Sequence, residues 1–299
     1  MASGSEKVVI AALIGNGLIT ITKFFASIFT GSSAMLSEAI HSLTDTVNQG
    51  LIMLGLKRSK KPADEKHPFG YAKEIYFWSF VVAILIFSIG AGVAIYEGIH
   101  KIMHPEPITN AWVNYLVLGL AMVFETFAWW VAFKEFKKEK GDLSYLQAVR
   151  QSKRVAVFTV LLEDTAALLG LVIAFVGLAI SQATGIAEID GVTSVVIGIL
   201  LAAVAILLSQ ETKALLIGEG ASSETKLKIK DIVNNHDEVE GINEILTMHL
   251  GPEDILLNLS VDFKNSINAQ QVEEVIAKIS SNIKQDIPEV KRVFIEAKG

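Results

Sequence analysis

The chain contains no cysteine. Disulfides, thiolate metal sites and cysteine nucleophiles are thereby excluded together. It also lacks a strong net charge. Its 26 Lys and Arg against 32 Asp and Glu leave a formal −6, which argues against a nucleic-acid partner. Residues 1–7 are too short and too plain for a cleaved signal or transit peptide, so the first apolar stretch is expected to be a retained span. No nucleophile stands in recognisable pairing with a base, and a two-metal hydrolytic centre would want more histidines than are present. The chain is accordingly not read as an enzyme.

Apolar residues are what it has in excess: 51% of 299 residues, with a mean hydropathy of +0.46. No soluble core of this size could bury them all. About 20 mostly apolar helical residues cross ~30 Å of hydrocarbon, and six stretches qualify: 8–29, 33–56, 76–99, 112–134, 155–180 and 189–209. The second and fifth carry interior charges and rank lowest by hydropathy. Basic residues accumulate in cytoplasmic loops. Lys57, Arg58, Lys60, Lys61, Lys66 and Lys73 follow the second span, and Lys134, Lys137, Lys138, Lys140, Arg150, Lys153 and Arg154 lie between the fourth and fifth. On the opposite side only Lys101 is found. Six spans with both termini cytoplasmic fit this alternation.

After Lys213 the composition changes. Residues 226–235 read as an amphipathic helix with an apolar stripe of Leu227, Ile229, Ile232 and Val233. Residues 242–249 and 255–263 read as strands around the turn-forming Gly251-Pro252-Glu253-Asp254. A second helix over 269–284, capped by Asn268, precedes Pro288 and a last strand over 290–295. The expected fold is thus an α-helical membrane protein: a six-transmembrane-helix bundle (1–215) with a small C-terminal cytoplasmic α+β domain (216–299) in the order α-β-β-α-β. So small a domain would gain stability by pairing with a copy of itself.

Ionisable groups inside a span cost ~2.5–3.5 kcal/mol each on insertion scales and mark function by default. His41-Ser-Leu-Thr-Asp45 puts an imidazole and a carboxylate one turn apart on one face of the second span, and Asn48 extends that stripe. Such a pair can share one divalent ion with ligands from a facing helix. Glu163-Asp164 interrupts the apolar run of the fifth span, and two carboxylates at that depth need a cation or protons. A hydrogen-bonded polar network between helices is the alternative. Two clusters on separate spans favour the cation.

The runs SSAMLSEAIHSLTDTVNQGL and KPADEKHPFGYAKEI, with Asn16, Lys23 and the YEGIHKI that closes the third span, resemble the cation diffusion facilitator family of metal/proton antiporters. The resemblance covers essentially the whole chain. It implies a homodimer exporting zinc or a related ion from the cytoplasm in exchange for protons. It also implies metal ligation by His41 and Asp45 in the second span and Asp164 in the fifth. The family's fourth ligand would fall at 160, which is Val160 here; Glu163 is the obvious substitute, though about 100° around the helix from Asp164. One nitrogen with up to three carboxylates is a harder donor set than two histidines offer, so Mn2+ and Fe2+ stand close behind Zn2+. The Glu-Asp pair resembles a divergent branch that includes the ninth human-type zinc transporter group. No permanent cofactor is implied. The partners are the metal ion and protons as substrates, the lipid bilayer and a second copy of the chain, in what reads as a bacterial cytoplasmic membrane.

Other readings have a place beside this one. The bundle could hold its ion statically, as a non-transporting sensor signalling through the tail. Asp64 and His67 align with a second, loop metal site of some relatives, but Tyr71 stands where its next histidine is expected; a weak entry site and a structural turn are both open. The relatives' tail metal positions are mostly occupied here by residues such as Asn243, Leu259 and Lys298, so His236 and His249 read as surface histidines. Glu125 in the fourth span could relay protons or bond to a neighbouring helix, with the bond preferred.

Overall fold

The computed structural model describes residues 4–30, 33–105, 111–141 and 143–299; the side chains of residues 4, 26, 27, 29, 30, 33–41, 111, 139 and 146 lie outside that description. The chain divides into two compact units, residues 1–58 with 74–213, and residues 59–73 with 214–299. The division is discontinuous along the sequence, because the basic segment after the second long helix groups with the C-terminal part.

The first unit is built of long helices. They are α1 (Gly4–Thr30), α2 (Ser33–Ser59), α3 (Glu74–Leu85), which continues through a π-helical turn (Ile86–Ala91) into α4 (Gly92–Met103), α5 (Ala111–Lys140), the short α6 (Tyr145–Gln151), α7 (Val155–Thr184) and α8 (Glu188–Ile217). Among the described residues, five helical stretches are long and apolar enough to cross a membrane: 5–25, 74–103, 112–138, 155–184 and 188–217. Helix α2, at 27 residues, has the length for a sixth, and its polar row keeps its hydropathy down. Helix α7 passes in spite of Glu163-Asp164, because the apolar residues around the pair outweigh it. Large apolar side chains such as Ile14, Ile21, Phe25, Trp112, Val123, Phe127 and Ile199 are mostly exposed, as helices facing hydrocarbon require.

Backbones meet where side chains vanish. A Cβ added at Gly98 of α4 would stand 2.7 Å from the Gly191 carbonyl oxygen of α8, and one at Gly191 would stand 2.7 Å from the Gly98 oxygen. Small residues permit this close helix packing, which in hydrocarbon supplies what the hydrophobic effect does not. Gly185, with φ at +71°, takes the left-handed conformation that closes α7.

Within the bundle, Tyr115 of α5 bonds Gln182 of α7, Trp129 bonds Thr165 and Glu135 bonds Arg154, so α5 and α7 run antiparallel. The pairs Thr20–Thr46 and Lys23–Ser42 show the same for α1 and α2.

The second unit holds α9 (Ser223–Asn234), β1 (Val239–Gly251), β2 (Asp254–Phe263), α10 (Ala269–Asp286) and β3 (Val290–Ala297). The expected α-β-β-α-β order is realised as a sheet β1-β2-β3, antiparallel between β1 and β2 and parallel between β2 and β3. Alternation along β2 sends Ile255, Leu257, Leu259 and Val261 into a core shared with Ile229 and Val233 of α9 and Val275, Ile279 and Ile283 of α10. Asn268 does cap α10, through a reciprocal box with Gln271. His249 is a correction: expected at the surface, it is buried at the end of β1, where its backbone N–H donates to the Glu219 oxygen at 2.9 Å.

The segment 59–73 belongs to this unit through Arg292. That guanidinium donates to both carboxylate oxygens of Asp254 at 2.7 Å and to the Phe69 carbonyl at 3.1 Å, and lies 5.6 Å from the centre of the Phe69 ring.

Candidate cation site

Of the expected stripe on α2, Asn48 faces α7. Asn48 and Gln49 are both fully buried, and their amides reach the same carboxylate: Asn48 Nδ2 donates to Glu163 Oε1 at 3.1 Å and Gln49 Nε2 to Glu163 Oε2 at 2.9 Å. Glu163 is therefore clamped from two sides by neutral donors, and each of its oxygens keeps a second lone pair.

Asp164, one residue on, is 1% exposed and its Oδ2 has no hydrogen-bond partner. The amide oxygens Asn48 Oδ1 and Gln49 Oε1 are likewise buried without a donor, and so is Oε2 of Glu125 on α5. Buried polar atoms without partners are rare and each calls for an explanation. These four are all acceptors, of the oxygen type that hard and borderline divalent cations prefer. An orphaned set of acceptors asks for a cation, where an apolar core or a finished hydrogen-bond network would not.

Asp45 is half-buried on α2 and acts electrostatically on Glu125, Glu163 and Asp164 alike. A buried cation of the chain's own, Lys23 on α1, donates to Ser42 Oγ at 2.7 Å and also acts on Glu125. Val160 is completely buried and offers no donor one turn before Asp164. His41 falls within α2, and its side chain lies outside the described residues. Among the described residues no three His, Asp or Glu side chains stand close enough together to hold one ion.

Asp64 and His67 are placed in a turn of the second unit. Asp64 Oδ1 accepts from the His67 backbone N–H at 2.8 Å and Oδ2 from the Tyr71 hydroxyl at 2.6 Å, with Lys61 Nζ at 3.4 Å. The Tyr71 hydrogen bond, then the His67 N–H and Lys61, hold this carboxyl well below the usual carboxylate range. The structure of the segment thus favours the turn over the entry site. A depressed folded-state pKa contributes stability above the unfolded value of about 3.9 that fades as pH falls below it. On acidification the Asp64 carboxyl-carbon resonance should keep its ionised position to pH 4 and shift only below it; Asp64→Asn should move the Tyr71 hydroxyl resonance already at pH 7.

Sequence reasoning placed Asp45, Asn48, Glu163 and Asp164 in one region of the bundle and missed Gln49. The signal was there, since a second amide beside Asn48 in an apolar helix also needs a partner.

Comparison with known proteins shows the family. The family model described as the cation efflux transmembrane domain matches residues 9–217, and that of the cation efflux protein cytoplasmic domain matches residues 221–297. The chain belongs to the cation efflux family. Among its relatives is the human mitochondrial proton-coupled zinc antiporter SLC30A9, 34% identical over 96% of this chain and 51% of that protein. Metal tolerance protein C4 of Arabidopsis thaliana is 30% identical over 89% of this chain and 59% of its own length. The zinc transporter ZitB of Yersinia pestis is 26% identical over 85% and 76%. This cation efflux protein thus spans about half the length of its human relative. Like the family, it is a multi-pass membrane protein with a small cytoplasmic-type α+β domain.

Proposed function

We propose that this cation efflux protein carries a divalent transition-metal ion across its membrane in exchange for protons, Zn2+ first and Mn2+ or Fe2+ after it. The observation that carries the reading is the set of buried oxygens without donors on α2, α5 and α7, inside helices of membrane-spanning length where charge is poorly tolerated. Two relatives named for zinc, one of them a proton-coupled antiporter, support the choice of ion and counter-ion.

Asp45 and Asp164 supply negative charge to the ion, His41 the nitrogen, and Glu163 further charge while Asn48 and Gln49 hold it in place. Ligands bind metal only when deprotonated, so protons arriving from the opposite side compete for the same atoms and release the ion. The basic loops support cytoplasmic termini and a cytoplasmic C-terminal unit, and the family resemblance supports export as the direction. The C-terminal unit pairs two copies into a homodimer.

The test is Zn2+, Mn2+ and Fe2+ flux into proteoliposomes under an imposed pH gradient, wild type beside Asp45→Ala. Flux should need the gradient and fall to background in the variant. Metal binding without flux of any ion would overturn the transporter in favour of a static sensor, and intact flux in Asp45→Ala would overturn the site.

A further inference from the structure

Among the described residues, Glu125 is the buried acid whose open oxygen has been given no role of its own. It is 7% exposed within α5, and its Oε2 has no hydrogen-bond partner. A structural glutamate bonded to a neighbouring helix would have satisfied that oxygen, since leaving it buried without a partner is costly.

Its position follows from the helix pairing. Trp129 of α5 bonds Thr165 of α7 at 2.9 Å, and α5 runs antiparallel to α7. Glu125 lies one turn before Trp129, on the same face, and Asp164 lies one residue before Thr165. At 1.5 Å per residue Glu125 therefore sits roughly 7 Å beyond Asp164 along the bundle axis. The order on α2 is parallel to that of α5: Asn48 and Gln49 stand level with Glu163, and Asp45, a turn N-terminal to them, is displaced about 5 Å toward the level of Glu125. Carboxylates thus climb the bundle in the order Glu163, Asp164, Asp45, Glu125. Asp45 is the charged group that acts most strongly on Glu125, and Glu125 the one that acts most strongly on Asp164.

We infer that Glu125 is a further ligand of the transported ion, binding it jointly with Asp45 at the end of the site away from Glu163. The donor set of the path is then drawn from three helices, α2, α5 and α7. A lone carboxylate at the level of Glu125 would hold no ion, whereas with Asp45 it forms a two-carboxylate oxygen station of the kind that Zn2+ and Mn2+ both accept. Lys23, acting on the same glutamate, is placed to balance its charge when the ion has gone.

The inference rests on the transport reading, and the experiment separates the two. Equilibrium Zn2+ and Mn2+ binding to the full chain in detergent is measured for wild type, Glu125→Gln, Glu125→His and Asp164→Asn. Glu125→Gln should weaken both metals at least ten-fold. Glu125→His, which exchanges an oxygen donor for nitrogen, should restore Zn2+ more than Mn2+ and so raise the ratio of the two affinities several-fold. A structural role predicts no such change of preference. Wild-type affinity in Glu125→Gln with binding lost in Asp164→Asn would overturn the inference and leave the transport site standing. Wild-type affinity in both would overturn the site itself. Should the Gln variant not fold, wild-type protein answers the same question: dicyclohexylcarbodiimide, which reaches carboxyls in apolar surroundings, should label Glu125 less when Zn2+ is present. Protection of Asp164 without protection of Glu125 would again overturn the inference.

Discussion

Asparagine in place of Asp164 should cut metal flux at least 100-fold while leaving the melting temperature of the metal-free protein unchanged or raised. The substitution keeps the shape of a side chain that is 1% exposed. It removes the charge, and with it about 3 kcal/mol or more of metal binding for a loss of that size. Stability moves the other way, because a buried charge without a partner costs free energy in the empty protein, and Oδ2 of Asp164 has none. Loss of function with no loss of fold is the mark of a group retained for its ligand. The measurement pairs proteoliposome flux with thermal melting in detergent, both without and with Zn2+. A wild-type flux would remove Asp164 from the ion path; a large fall in melting temperature would mean that its charge is satisfied in the fold.

Glu163→Ala has the opposite signature and should be the most destabilising change at this site. It strands the amide donors Asn48 Nδ2 and Gln49 Nε2, which share that one carboxylate across the α2–α7 interface. Each buried donor left unmade costs about 1–3 kcal/mol. Interhelical bonds in membranes measure nearer ~0.6 kcal/mol on average, because the separated helices find other partners. These two are both buried and share one acceptor group, so a total of roughly 2–4 kcal/mol is expected. Melting should fall with or without metal, and the fall should exceed that of Glu163→Gln. Glutamine keeps one acceptor oxygen for one of the amides and turns its own NH2 toward the other. Adding Asn48→Leu and Gln49→Leu to Glu163→Leu should recover much of the stability, since replacing all partners by apolar groups removes the unmet donors. Wild-type melting of Glu163→Ala would show that the two amides are not holding it.

How far each part could be read in advance depended on the range of the interaction behind it. The helices follow from hydrophobic runs of span length, and the strands of the second unit from period-two alternation such as Ile255, Leu257, Leu259 and Val261. Both signals are local, and the observed elements differ from the expected ones mainly by a few terminal residues. The cap on α10 was legible for the same reason, since Asn268 and Gln271 lie three residues apart. The burial of His249 was not, because it follows from how the end of β1 meets Glu219, some thirty residues away. The His41–Asp45–Asn48 stripe was legible as one helical face, whereas its bond to Glu163 spans 115 residues.

The sequence by itself determined the kind of protein: six stretches of membrane length, a charge pattern that orients them, acids too costly to bury without purpose, and a small α+β tail. These are properties of composition and short spacing, decided by transfer energies and backbone periodicity. Tertiary structure decided which partners each acid meets. Neighbouring in sequence, Glu163 and Asp164 point about 100° apart on α7; one meets two amides of α2, and the other keeps a buried oxygen without a hydrogen-bond partner. The place of Glu125, one turn above Asp45, likewise depends on how α5 and α2 pack around α7. Packing is set by contacts between residues far apart in the chain, and it is the assignment of partners, not the presence of charge, that distinguishes the clamped Glu163 from the open Asp164.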